Sequence, residues 1–204
     1  MRGLSSLLKP LALGVALIAI FAAGQKVTKA TPVTYSTTGS FNGMGSSITF
    51  GSGVNLTTIS FTGITNSTVN ANPFTFASLG DFQTTVTGGG ATITPGTTFS
   101  LTITQTAPGS GSGTLIGTLN GTVMQDQSTG LVTFSVSSAT INGVTYSLTN
   151  NPLPLVPPAT NNGITSVQAQ ITAPVPEPTT MLLLGTGLAG VAAGIRRRRR
   201  GQRD

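Results

Sequence analysis

Between Lys29 and the proline cluster near the C-terminus, this chain has only two acids, Asp81 and Asp126. Two carboxylates held roughly 5–10 Å apart can hydrolyse a glycosidic bond, and with backbone oxygens they can hold Ca2+. Asp81 follows Leu79-Gly80, and Asp126 lies in Gln125-Asp126-Gln127-Ser128. Both contexts predict ordinary surface acids on loops. The other catalytic groups are missing, because the 204 residues contain no His and no Cys. This excludes Ser-His-Asp and Cys-His nucleophiles, the usual metal ligands and any disulfide framework. No catalytic, metal-binding or cofactor-binding residue is expected, and the chain is read as not an enzyme.

Two further strings have simpler explanations. Gly185-Thr186-Gly187-Leu188-Ala189-Gly190 matches a dinucleotide-binding pattern. It has no preceding strand and no acid about 20 positions on, so no cofactor is expected. Small residues at Gly187, Gly190 and Gly194 instead suit a membrane helix approached closely by another helix. Asn55-Leu-Thr57, Asn66-Ser-Thr68 and Asn120-Gly-Thr122 fit the N-glycosylation string, but chance matches are expected in a chain so rich in Asn and Thr.

The elements that would position any site are strands. Phe99, Leu101 and Ile103 alternate with Ser and Thr, as do Val132, Phe134 and Val136, then Val144, Tyr146 and Leu148, while Val167, Ala169 and Ile171 alternate with Gln168 and Gln170. Period two with β-branched Thr on the polar side is a half-buried strand pattern. Residues 48–50, 59–61, 74–76, 82–86 and 115–123 are shorter candidates. Glycine-rich turns separate them, and Asn142-Gly143 between two alternating runs is a strong hairpin signal. The expectation is an all-β fold: an antiparallel β-sandwich, jelly-roll or Greek-key like, of about 9–11 strands. Residues 150–163 hold four prolines and are expected to form a long loop crossing between the sheets. The few aromatics, with no Trp, argue against a sugar-stacking platform, and Phe99 and Phe134 are expected in the core.

Composition places the charge at the ends. The net charge is +6, yet no Lys or Arg occurs between Lys29 and Arg196. Nucleic acid is thereby excluded as a partner, since phosphate binding needs cations on the folded surface. Residues 31–176 contain 49 Ser and Thr among 146 residues, so hydroxyls must supply the solubility that charge does not. Residues 1–24 have basic Arg2 and Lys9, an apolar run at 11–23 and a small-x-small site ending at Gly24. That pattern predicts a signal peptide cleaved after Gly24, helical before removal and handled by the secretion translocon. Thirteen residues rise only about 20 Å as a helix, short of the roughly 30 Å hydrocarbon core. Residues 25–30 are a short linker or a second cleavage region.

The C-terminal stretch, residues 173–204, carries the clearest motif. Pro176-Glu177-Pro178 breaks any helix or strand. An apolar segment at 179–195 follows, and Arg196, Arg197, Arg198, Arg199 and Arg200 open the basic tail at 196–204. Apolar residues closed by arginines are a membrane helix with a cytoplasmic stop. The order of these parts resembles the PEP-CTERM sorting signal of exported bacterial proteins. The resemblance implies an exosortase-type processing enzyme as a partner, acting at or near Pro176-Glu177-Pro178. It also implies a precursor in the inner membrane and a product at the cell surface or in extracellular matrix. The domain so delivered, residues 31–172, is expected to have a structural, biofilm-associated role. The alternative is a carbohydrate-binding or adhesive module built on the loops at 88–90 and 109–113, with extracellular polysaccharide as its partner.

Overall fold

The computed structural model describes residues 30–174 and, in the tail, residues 185–188 and 190. Ala30–Pro174 forms one compact unit. Its strands are β1 (Thr31–Phe41), β2 (Ser47–Ser52), β3 (Asn55–Thr62), β4 (Ser67–Ala71), β5 (Phe74–Thr87), β6 (Ala91–Thr92), β7 (Thr97–Ala107), β8 (Gly111–Asn120), β9 (Thr122–Val123), β10 (Leu131–Val136), β11 (Ser138–Ile141), β12 (Val144–Leu148), β13 (Leu153–Pro154) and β14 (Ile164–Thr172). They make two six-stranded antiparallel sheets, a first in the order β13-β10-β8-β7-β1-β4 and a second in the order β11-β12-β14-β5-β3-β2. A ribbon of β6 and β9 accompanies them. The fold is the expected all-β sandwich. Three of the strands have only two residues, which leaves eleven of four or more.

Alternation explains the layering. In β7 the side chains of Thr97, Phe99, Leu101, Ile103 and Gln105 are buried, and the intervening positions carry Thr and Ser. The core is aromatic at its centre, where Phe82 and Phe99 pack with centroids 4.7 Å apart and Phe41, Phe61 and Phe134 surround them. Buried polar groups are few and bonded. The Thr37 hydroxyl donates to the Leu79 carbonyl at 2.6 Å and accepts from the Ile64 amide at 2.8 Å. The Thr57 hydroxyl donates to the Val123 carbonyl, which ties the ribbon to the inner side of β3. Among the described residues no buried side-chain nitrogen or oxygen lacks a partner, as a low-dielectric interior requires.

The Asn142-Gly143 hairpin forms as predicted. Ile141 pairs with Val144, and both turn residues have positive φ, at 47° and 81°, the backbone of a two-residue turn that matches strand twist. Three expectations change. The candidates at 74–76 and 82–86 are one 14-residue strand, β5. The run at 115–123 breaks at Gly121, where φ is 101°, giving β8 and β9. The loop at 150–163 does cross between sheets, but it contributes β13 to the first sheet on the way and a 3-10 turn at Asn161–Gly163.

The domain begins and ends at one pole. Thr31 pairs with Ala71, and the Ala173 amide donates to the Pro73 carbonyl, so both ends of the domain flank the same 71–73 segment. The β7–β8 turn and the Asn142-Gly143 turn lie at this pole, joined by Asn142 Nδ2 donating to the Ser110 carbonyl at 2.7 Å. The opposite pole carries the β2–β3 and β5–β6 turns, with Leu56 paired to Thr87. In the tail, residues 185–188 and 190 are helical and exposed. No helix among the described residues is long and apolar enough to cross a membrane.

Candidate functional site

Strand β5 decides which side chains face outward. Against β14, Ser166 pairs with Asp81 and Gln168 with Ser78. Leu79 and Gly80 therefore stand opposite Val167 alone, a bulge of two residues against one. Gly80 takes φ of 126°, and a Cβ there would lie 2.5 Å from the Thr62 carbonyl oxygen. The extra residue reverses the parity of the strand. Phe82 and Thr84, beyond the bulge, point into the core. Phe74 and Phe76, before it, point out of the second sheet and are 48% and 58% exposed. Their rings meet edge to face with centroids 5.9 Å apart.

Register extends this pair into an ordered patch. Phe74 pairs with Thr172, Thr172 with Thr145 and Thr145 with Thr140. Phe76 pairs with Gln170, Gln170 with Ser147 and Ser147 with Ser138. Two rows thus cross β5, β14, β12 and β11, each an aromatic followed by three hydroxyl or amide side chains. Thr140 and Thr145 are hydrogen-bonded across the strands at 3.0 Å. No ionisable side chain occurs in either row.

The two acids do not form a site. Asp81 lies within β5, not in the loop expected for it. The Leu79-Gly80 pair that suggested a loop is the bulge. Asp81 accepts a hydrogen bond from the Ser166 hydroxyl on the outer face of the second sheet. Asp126 is exposed in the turn closed by the Met124 amide donating to the Gln127 carbonyl. That turn follows β9, which packs on the inner side of the same sheet. No group of three or more His, Cys, Asp or Glu that could hold a metal occurs among the described residues.

Nor do the two glycine loops come together. Residues 88–90 belong to the pole away from the domain's two ends, where the Gly89 amide donates to Asn55 Oδ1. Residues 109–113 belong to the pole that carries the domain's two ends, and their glycines serve packing. A Cβ on Gly111 would meet Ile141 at 2.8 Å, and one on Gly113 would meet Ala139 at 2.9 Å. These glycines let β8 of the first sheet close against β11 of the second.

The remaining titratable groups in the core are Tyr35 and Tyr146, whose rings pack edge to face at 5.8 Å. Tyr35 donates to the Ser78 carbonyl at 2.7 Å, and Tyr146 donates to Gln105 Oε1 at 2.8 Å. Gln105 Nε2 in turn donates to the Gly109 carbonyl. Burial raises both phenols above the ordinary 10.0. The Ser67 side chain opposes the rise at Tyr35, and the neighbouring Tyr35 adds to it at Tyr146. Both therefore act as neutral donors in the interior, not as bases.

Gly24, Pro176, Glu177, Pro178 and Arg196–Arg200 lie outside the described residues, as does most of the 179–195 segment. The described part of the Gly185–Gly190 string is helical, unlike the tight turn that opens a dinucleotide site. No curated protein and no solved structure matches the chain. One family model does, the PEP-CTERM protein-sorting motif, over residues 174–200. That match takes in Pro176-Glu177-Pro178, the apolar segment and the arginines together. The chain carries a PEP-CTERM protein-sorting motif, which implies an exported protein sorted by an exosortase and anchored in a membrane at its C-terminus before processing.

Proposed function

We propose that this is a non-enzymatic exported protein, retained at the cell surface or in extracellular polymer, where the sandwich has a structural role. The observation that carries the proposal is the sorting motif at 174–200, joined to a body without His, Cys, Lys or Arg. A surface of Thr, Ser, Asn and Gln stays hydrated at any pH and is indifferent to salt. Matrix contacts made by such a surface are many and weak. The sandwich would act by bulk and hydration, with the exosortase and the translocon as its partners during export. Residues 31–172 contain no His and no Cys to serve as a general base or a thiol nucleophile. Replacing Pro176-Glu177-Pro178 by three alanines tests the proposal. The variant is expected to accumulate in the inner membrane at precursor size, whereas unchanged size and location would overturn it.

A further inference from the structure

We propose that the outer face of β5-β14-β12-β11, led by Phe74 and Phe76, binds a neutral polysaccharide strand. This deepens the extracellular reading by naming a ligand class and the residues that hold it. Phe74 and Phe76 form a contiguous aromatic pair, half exposed on the outer face, where exposure forgoes the stabilisation that burial would give. The chain has few aromatics and no Trp, but these two stand together at the surface, and their exposed ring surface suits the flat, apolar C–H face of a pyranose. The neighbouring Thr172, Thr145 and Thr140, with Gln170, Ser147 and Ser138, supply donors and acceptors at the level of a sugar's hydroxyl rim. Strands stand about 4.8 Å apart, close to the length of one sugar ring, so a glycan laid across them meets one row position per residue.

Charge selects among the possible occupants. The two rows hold no ionisable group, and the described domain has no cation at all. Anionic lipid headgroups, nucleic acid and charged peptides find no counter-charge there. A neutral polyol needs none. The apolar part is two rings on a polar field, unlike the more apolar core of an interface between two copies.

The test is retention of the purified protein on suspensions of three neutral glucans: amorphous cellulose, a β-1,3-glucan and starch. Retention is expected on at least one and should persist in roughly 1 M salt, where the Debye length is about 3 Å. Phe74→Ala/Phe76→Ala should weaken it about tenfold or more, and Phe74→Tyr/Phe76→Tyr should preserve it. Met44→Ser/Val54→Ser, on the opposite pole, should leave it unchanged. The proposal is overturned if the wild type is retained on none of the three, or if the alanine pair binds as well as wild type. It is equally overturned if the same pair abolishes flotation with phosphatidylcholine vesicles or a concentration-dependent mass while glucan retention is untouched. The assay reads binding by purified chain, so it succeeds or fails independently of tail processing, which the Pro176-Glu177-Pro178 variant reports.

Discussion

The two halves of β5 place the same residue type on opposite sides of one sheet. After the bulge, Phe82 is fully buried and touches Phe41, Phe61 and Phe99. Before it, Phe74 and Phe76 touch each other and stand in solvent. All three positions are even-numbered, and an unbroken strand would set them on one face. The difference teaches that a single inserted residue, with its glycine, separates a stabilising aromatic cluster from an available one. Strand bulges re-aim side chains in this way.

This contrast can be broken most severely at its origin. Gly80→Val puts a β-branched side chain at φ of 126° against the Thr62 carbonyl and the Phe61 ring. It should cost on the order of 3–5 kcal/mol, from strain and overpacking together, measured by urea unfolding with far-UV circular dichroism. Phe82→Ala should follow closely, at about 3–5 kcal/mol for a large buried ring. Tyr146→Phe removes the donor that satisfies Gln105 Oε1 and should cost about 1–3 kcal/mol at neutral pH.

Phe74→Ala/Phe76→Ala should be the mildest. It loses an edge-to-face pair worth about 0.5–1.5 kcal/mol and leaves the core intact. A cost for the outer pair equal to that of Phe82→Ala would dissolve the distinction between the two halves.

A pH series sharpens the inner side. Folded phenols titrating above their unfolded value contribute stability that is complete below pH 10. That contribution is lost as pH rises from 10 through the folded values. With no His in the chain, the thermal midpoint should stay nearly flat between about pH 6 and 9 and fall above about 10. Tyr146→Phe should flatten part of that alkaline fall. An equally steep fall in Tyr146→Phe would remove the phenol as its cause.

The sequence revealed the elements wherever alternation was clean, as in β7, β10, β12 and β14. It hid β1 because two of its inward positions are not hydrophobic. Thr37 points inward to bond the Leu79 carbonyl, and at Gly39 a Cβ would meet the Phe61 ring at 2.3 Å. The outer aromatic pair was hidden for a different reason. A glycine inside an alternating run is a known bulge signal, but Leu79-Gly80-Asp81 also reads as a turn. Only the partner register on β14 tells the two apart. The glycines at 111 and 113 read equally well as a flexible loop until the opposing sheet shows what they accommodate. The sorting motif needed no fold, because its parts act in order along the chain.

The central proposal is that the motif delivers the sandwich beyond the inner membrane and is processed there. Intact-mass measurement of the exported protein tests this most directly. The expected product is a chain beginning at Gln25, after Gly24, and ending at or near Pro176-Glu177-Pro178, without the arginines. A mature protein that retains residues 179–204 would contradict it.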